Sequence, residues 1–122
     1  EFVGDGDDAR LLAAVVESIA FLLCVNLERL QRSAPLQQIR ISGGLARNDY
    51  LCRCLAAVSR LPVARPAAVE ATARGIAYLA AGKPGSWARL PVEQSFVPGP
   101  APQLLERYAR WRGAMSARGA DA

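Results

Sequence analysis

Gly43 and Gly44, with Asn48 four residues beyond the second glycine, are the residues of this chain best placed to do chemistry. Two successive positions without a Cβ let the backbone touch a planar ring or a phosphate directly, and a nearby amide side chain can both donate and accept. They sit in Ile39-Arg40-Ile41-Ser42-Gly43-Gly44-Leu45-Ala46-Arg47-Asn48, which reads as a buried strand, a two-glycine turn and the start of a helix. The free N–H groups of such a helix start favour an anion nearby. That chemistry is the binding of a nucleotide. The same residues also permit a plain strand-to-helix corner, with Asn48 capping the helix and Asp49 favouring its positive end.

Other chemistry is scarce. The chain has no His, and Cys24, Cys52 and Cys54 lack the spacing of a zinc knuckle, so no metal site is expected. On a helix, Cys52 and Cys54 point to different faces; buried free thiols in a reducing compartment are the expectation. The net charge of +4 is almost wholly arginine, since Lys83 is the sole lysine. Arg29, Arg32, Arg40, Arg47, Arg53, Arg60, Arg65 and Arg74 are spread over several elements, which argues against nucleic acid as a partner and leaves small anions. Residues 11–25 are strongly apolar but carry Glu17 and Ser18 and are short for a bilayer, and no basic-then-apolar leader opens the chain. The expectation is a cytoplasmic protein with no membrane contact.

The elements that must position the glycine turn follow from periodicity. Asp8 can cap a helix from Ala9, along which Leu12, Val15, Ile19, Leu22, Leu23, Leu27 and Leu30 recur until Ser33 and Pro35 stop it. Its apolar arc is wide because Leu11, Ala14, Phe21 and Val25 lie off the stripe, so packing on more than one side is expected. Leu36–Ser42 is a partly alternating strand, and Arg47 or Asn48 starts a second helix through Leu51, Leu55 and Val58. Leu61–Arg65 is a short strand whose Pro62 and flanking Pro66 predict an edge position. Glu70–Ala81 is a third helix; Gly75 inside it implies a close approach to sheet or ligand. Trp87–Pro102 is proline-rich and expected to be irregular, and Leu104, Leu105, Tyr108, Trp111 and Met115 describe a last amphipathic helix. This is an α/β pattern with too few strands to bury its helices, which implies a sheet completed from before residue 1 or by another chain.

Four ordered blocks carry a resemblance. Val16–Phe21, Ile41–Asp49, Leu61-Pro62-Val63 and Glu70–Ala80, with the ending Phe96, Pro98, Gly99 and Arg107–Trp111, are similar to the C-terminal lobe of the FGGY carbohydrate kinases, the group containing glycerol kinase and xylulokinase. The resemblance runs over residues 9–117; residues 1–8 would be a flexible acidic segment and 118–122 a flexible tail. It implies a partial actin-like, ribonuclease H-like ATPase domain. Its function would be the nucleotide-binding part of an ATP-dependent kinase that moves the γ-phosphoryl group to a sugar or polyol hydroxyl, with Mg2+ held by other parts of the enzyme.

By the same resemblance, Gly43, Gly44 and Asn48 bind the nucleotide, with Gly44 and Asn48 at its adenosine end and Gly43 shaping the turn. Thr72 and Gly75 would pack the third helix beneath it. The catalytic base belongs to the N-terminal lobe, so no catalytic residue is assigned and the isolated chain is expected to be inactive. The implied partners are that lobe, a sugar or polyol, and a homo-oligomer where assembly requires one. Glu17 falls in a matching block but is read as solvent-facing or helix-pairing. Cys24-Val25 stands where relatives commonly carry Arg-Asp, and Arg74 where they have a small or apolar residue, which fits a drier helix face or a divergent member with changed interdomain contacts or activity. The alternative, motivated by the broad apolar helix and the Trp111 stripe, is a non-catalytic interaction module derived from this fold.

Overall fold

The structure, a computed structural model, describes residues 6–67, 70–87 and 91–119. Its elements are α1 (Asp8–Gln31), β1 (Ile39–Arg40), a 3-10 turn (Gly44–Arg47), α2 (Asp49–Ser59), β2 (Val63–Pro66), α3 (Ala71–Ala80), β3 (Val92–Phe96) and α4 (Pro102–Ala117). The result is an α/β arrangement with helices packed on a small mixed sheet. Residues 1–5 and 120–122, which hold most of the expected flexible ends, lie outside the described residues.

The sheet has the order β1-β2-β3: β1 runs parallel to β2, with Ile39 opposite Val63, and β3 antiparallel to it, with Phe96 opposite Val63. Two expectations change here. Residues 92–96 form a strand rather than an irregular passage, because Phe96 buries on the inner face while the ladder satisfies its backbone. β2 is therefore central, not an edge. Pro62 precedes the strand and lends its carbonyl to Ile39, and Pro66 sits where the register with β3 shifts, so neither proline removes a donor that the sheet needs.

The core gathers around α2. Leu51, Cys52, Cys54, Leu55, Ala56, Ala57 and Val58 are all buried, so this helix is covered on several sides by α1, α4 and the sheet. Phe21 of α1 meets Tyr108 and Trp111 of α4 at ring separations of 5.1 and 5.7 Å, an aromatic joint between the first and last helices. All three thiols are free and buried, and burial pushes Cys24 up to about 12. Cys24 lies in the core cluster with Phe21, which makes that face of α1 dry.

Elsewhere the packing is one-sided. Only Glu17, Ala20, Phe21 and Cys24 of α1 are buried, at spacings of three, four and seven that define a single face, while Leu12, Leu22 and Leu30 stand more than half exposed. The expected packing on more than one side is not realised within the described residues. By length and composition α1 could also cross a membrane, the only described helix that could. Its N-cap is Asp7, whose carboxylate accepts from the Arg10 N–H at 2.9 Å, so the helix opens one residue earlier than expected with Asp8 in its first turn. α3 has no buried residue at all; Ile76 and Leu79 are exposed, and a Cβ placed on Gly75 would meet nothing within 4 Å. Thr72 and Gly75 therefore do not pack this helix beneath the glycine turn, and no close approach among the described residues explains the glycine.

Candidate functional site

The turn lies at the carboxyl end of β1, where the chain leaves the sheet for α2. Gly43 has φ +92°, a left-handed conformation that L side chains rarely adopt, so the corner itself requires glycine there. Gly44 has no such requirement. Its φ is not positive, and nothing lies within 4 Å of a Cβ built on it, so the chain's own geometry leaves both the residue and the space beside it unaccounted for. Ala46 tucks inward and is fully buried, anchoring the turn while Gly44 and Leu45 face outward.

Asn48 caps α2. Its Oδ1 accepts from the Leu51 N–H at 2.9 Å, and its backbone N–H donates to the Leu45 carbonyl at 3.0 Å. The corner role of the amide is thus present. It consumes the acceptor only, since the Asn48 Nδ2 has no hydrogen-bond partner among the described residues. Gly43, Gly44 and Asn48 are brought together on one bend, with a glycine-lined space beside a half-exposed amide donor.

A residue that sequence reasoning left among the scattered charges holds this bend. Arg65 of β2 donates from Nη1 to the Ala46 carbonyl at 3.1 Å and to Asp49 Oδ1 at 2.7 Å, and from Nη2 to Gln94 Oε1 at 2.5 Å. Its guanidinium also lies 5.4 Å from the Phe96 ring centre. The bond to Asp49 leads in holding Arg65 above its ordinary pKa, against the opposing effect of desolvation. The signal for it is a charged residue on the same strand face as Val63, two positions away, with an acid in the first turn of the preceding helix. Beside it, a polar cleft of about 310 Å³ is lined by Arg47, Arg65, Ala67 and Glu93.

Two further polar joints lie away from the turn, the first on a residue expected to be solvent-facing or helix-pairing. Glu17, only 6% exposed, accepts from Tyr50 Oη at 2.5 Å and from Arg107 at 2.7 and 2.8 Å, tying α1 to α2 and α4. Burial pushes this carboxyl up, but the hydrogen bonds from Arg107 and Tyr50 and the Arg107 charge outweigh it and hold Glu17 below its ordinary value. Glu17 is helix-pairing, not solvent-facing. Three turns further along α1, Glu28 accepts from Tyr108 at 2.9 Å and Arg112 at 2.8 Å. A cavity of about 550 Å³ lies between α2 and the start of α4 and is bordered by Tyr50, Arg53, Cys54 and Arg107, away from the glycine turn.

The chain is similar to known proteins over most of its length. Residues 4–82 match the family model of the FGGY carbohydrate kinases, C-terminal domain. A glycerol kinase of Koribacter versatilis is 38% identical over 120 residues, covering 89% of this chain and 24% of that protein. A glycerol kinase of Synechocystis is 41% identical over 86 residues, covering 69% of this chain and 17% of that protein. Among solved structures, a xylulose kinase from Rhodospirillum rubrum superposes with TM-score 0.70 at 22% identity, over 98% of this chain and 26% of that one. The latter likeness is one of fold. The chain spans about a quarter or less of the length of the curated relatives it matches.

Proposed function

The chain belongs to the FGGY family of carbohydrate kinases, and from that premise we propose that it is the nucleotide-binding portion of an ATP-dependent sugar or polyol kinase, built on an actin-like, ribonuclease H-like frame. The single observation that carries the reading is the pairing of Gly44 with Asn48: a glycine that the fold does not need, next to an amide whose acceptor is used and whose donor is not. The adenosine end of ATP fits that donor and that bare backbone, with Gly43 setting the bend. When bound, ATP supplies the γ-phosphoryl group; positioning its reacting end and its Mg2+ falls to segments this chain does not contain. The chain's own contribution is to hold and orient the nucleoside. The glycerol and xylulose in the relatives' names support a small polyol or ketose as the substrate class.

The exposed apolar faces of α1 and α3 fit this reading. Leu12, Leu22, Leu30, Ile76 and Leu79 form surfaces that the remaining polypeptide of a two-lobed kinase would cover. The same surfaces favour the second reading, a non-catalytic interaction module that docks a protein partner there. We place the protein in the cytoplasm with the kinase reading, and residues 9–117 as its family-derived unit.

The capping oxygen of Asn48 and its proposed nucleotide-facing amide can be tested apart. Asn48→Asp keeps an oxygen to cap α2 and removes the amide donor, whereas Asn48→Ala removes both. Calorimetric titration with ATP is expected to show about tenfold weaker binding for Asn48→Asp, with no loss of thermal stability. Equal affinities for wild type and Asn48→Asp would remove Asn48 from the nucleotide site.

A further inference from the structure

We propose that Arg65 is the positioning residue of the glycine turn: its guanidinium fixes the bend that presents Gly44 and Asn48, so that the nucleoside platform is set by β2 and β3 and not by α2 alone. The inference rests on the nucleotide reading for its functional half; its structural half stands on geometry.

At the two ends of the 3-10 turn the Ala46 N–H reaches the Gly43 carbonyl and the Asn48 N–H the Leu45 carbonyl, each at 3.0 Å. The Ala46 carbonyl accepts from Arg65 Nη1 at 3.1 Å, besides a weak thiol contact from Cys52 of α2 at 3.5 Å. The same nitrogen reaches Asp49, the first residue of α2, and the sister nitrogen reaches Gln94 on β3. One planar fork therefore clamps the end of the turn, the start of the helix and the neighbouring strand together. Its Nε is buried with no hydrogen-bond partner among the described residues, the Glu93 carboxylate standing 3.8 Å away. The fork is thus placed for the turn and α2 at the expense of its third donor direction.

This arrangement depends on shape more than charge. An ammonium at the same place can pair with Asp49, but a point donor on a thinner stem cannot span the Ala46 carbonyl and the Gln94 amide together. Arg65→Lys is therefore expected to keep the ion pair and most of the stability while freeing the turn. Arg65→Met removes both.

The test is amide hydrogen exchange on the whole chain, read at Ala46 and Asn48 and compared with Leu55 and Val58 in the middle of α2. Exchange at Ala46 and Asn48 is expected to rise about tenfold in Arg65→Lys with Leu55 and Val58 unchanged, a split that a merely stabilising role would not produce. Unchanged protection of the turn in Arg65→Lys, or equal loosening of turn and helix, overturns the proposal. A nucleotide arm separates this from the parent reading. Adding ATP, and separately adenosine, should slow exchange at Ala46 and Asn48 in the wild type, and Arg65→Lys should weaken both ligands by the same factor. A turn that loosens in Arg65→Lys while ATP protects nothing in the wild type supports the clamp and removes the nucleotide assignment. ATP protection that Arg65→Lys leaves intact removes the clamp and keeps the assignment.

Discussion

α2 and α3 are helices of similar length and comparable apolar content, yet every residue of α2 from Leu51 to Val58 except Arg53 is buried, and no residue of α3 is. The difference is not propensity. α2 runs between a strand it follows and a strand it precedes, so the parallel β1-α2-β2 crossover presses it onto the sheet, and α1 and α4 close over it. α3 leaves the same sheet at Pro66; Trp87 folds back against its Tyr78 and Arg74, but that contact buries none of its residues. Burial of a helix here is a property of the connection around it.

The sharpest way to break that comparison is to truncate one side chain in each helix. Leu51→Ala, at a position only 1% exposed, is expected to cost about 4 kcal/mol through lost transfer energy and a residual cavity. Ile76→Ala, 63% exposed in α3, should fall within about 0.5 kcal/mol of wild type. Denaturant titrations of the two variants check this directly. Comparable losses at both positions would mean that α3 is packed against something in solution, either the same chain or a second copy.

A smaller effect tests how α2 is held from the far side. Removing the partner of a buried carboxylate costs more than the pair contributes, so Arg107→Met, which leaves Glu17 with Tyr50 alone, should cost about 2 to 3 kcal/mol, tempered by the half-exposure of Arg107. The pH dependence carries a sign. Because the folded Glu17 carboxyl titrates below its ordinary 4.5, the stability it contributes is present above that value and is lost as pH falls through the folded one. Denaturation midpoints followed from about pH 7 to about pH 3 should therefore drop for wild type below that value, and drop less steeply for Glu17→Gln.

What could be read from sequence divides along the same line as the burial. The order of helices and strands and the glycine bend were legible, because caps, periodicity and a Gly-Gly pair are local signals. Asn48 as a cap and Ala46 to Val58 as a turn running into a buried helix needed no tertiary information. The third strand was not legible: Val92–Phe96 exposes four of its five residues and so shows no alternation, and its identity comes only from pairing with β2. Pro62 and Pro66 suggested an edge for β2 because a proline's missing donor is a local fact, whereas the absence of any need for that donor is a tertiary one. Arg65, Glu17 and Arg107 were hidden for a related reason. Arg65 and Gln94 are twenty-nine residues apart, and Glu17 and Arg107 ninety, so nothing in either neighbourhood marks the pair. The candidate site was legible as a bend and illegible as a clamp.

The least costly variant probes the unexplained glycine of α3. Gly75 lies in a helix interior with φ that is not positive and open space where a Cβ would stand, so Gly75→Ala meets neither strain nor clash. In a helix packed into the core such a change would add up to about 1 kcal/mol to global stability. In α3 the gain is confined to the helix, because its folding is not coupled by burial to the rest. Far-ultraviolet circular dichroism should show a small rise in helicity while the thermal midpoint stays within error of wild type. A midpoint that rises with helicity would couple α3 to the core, and a midpoint that falls would reveal a neighbour occupying the space beside Gly75.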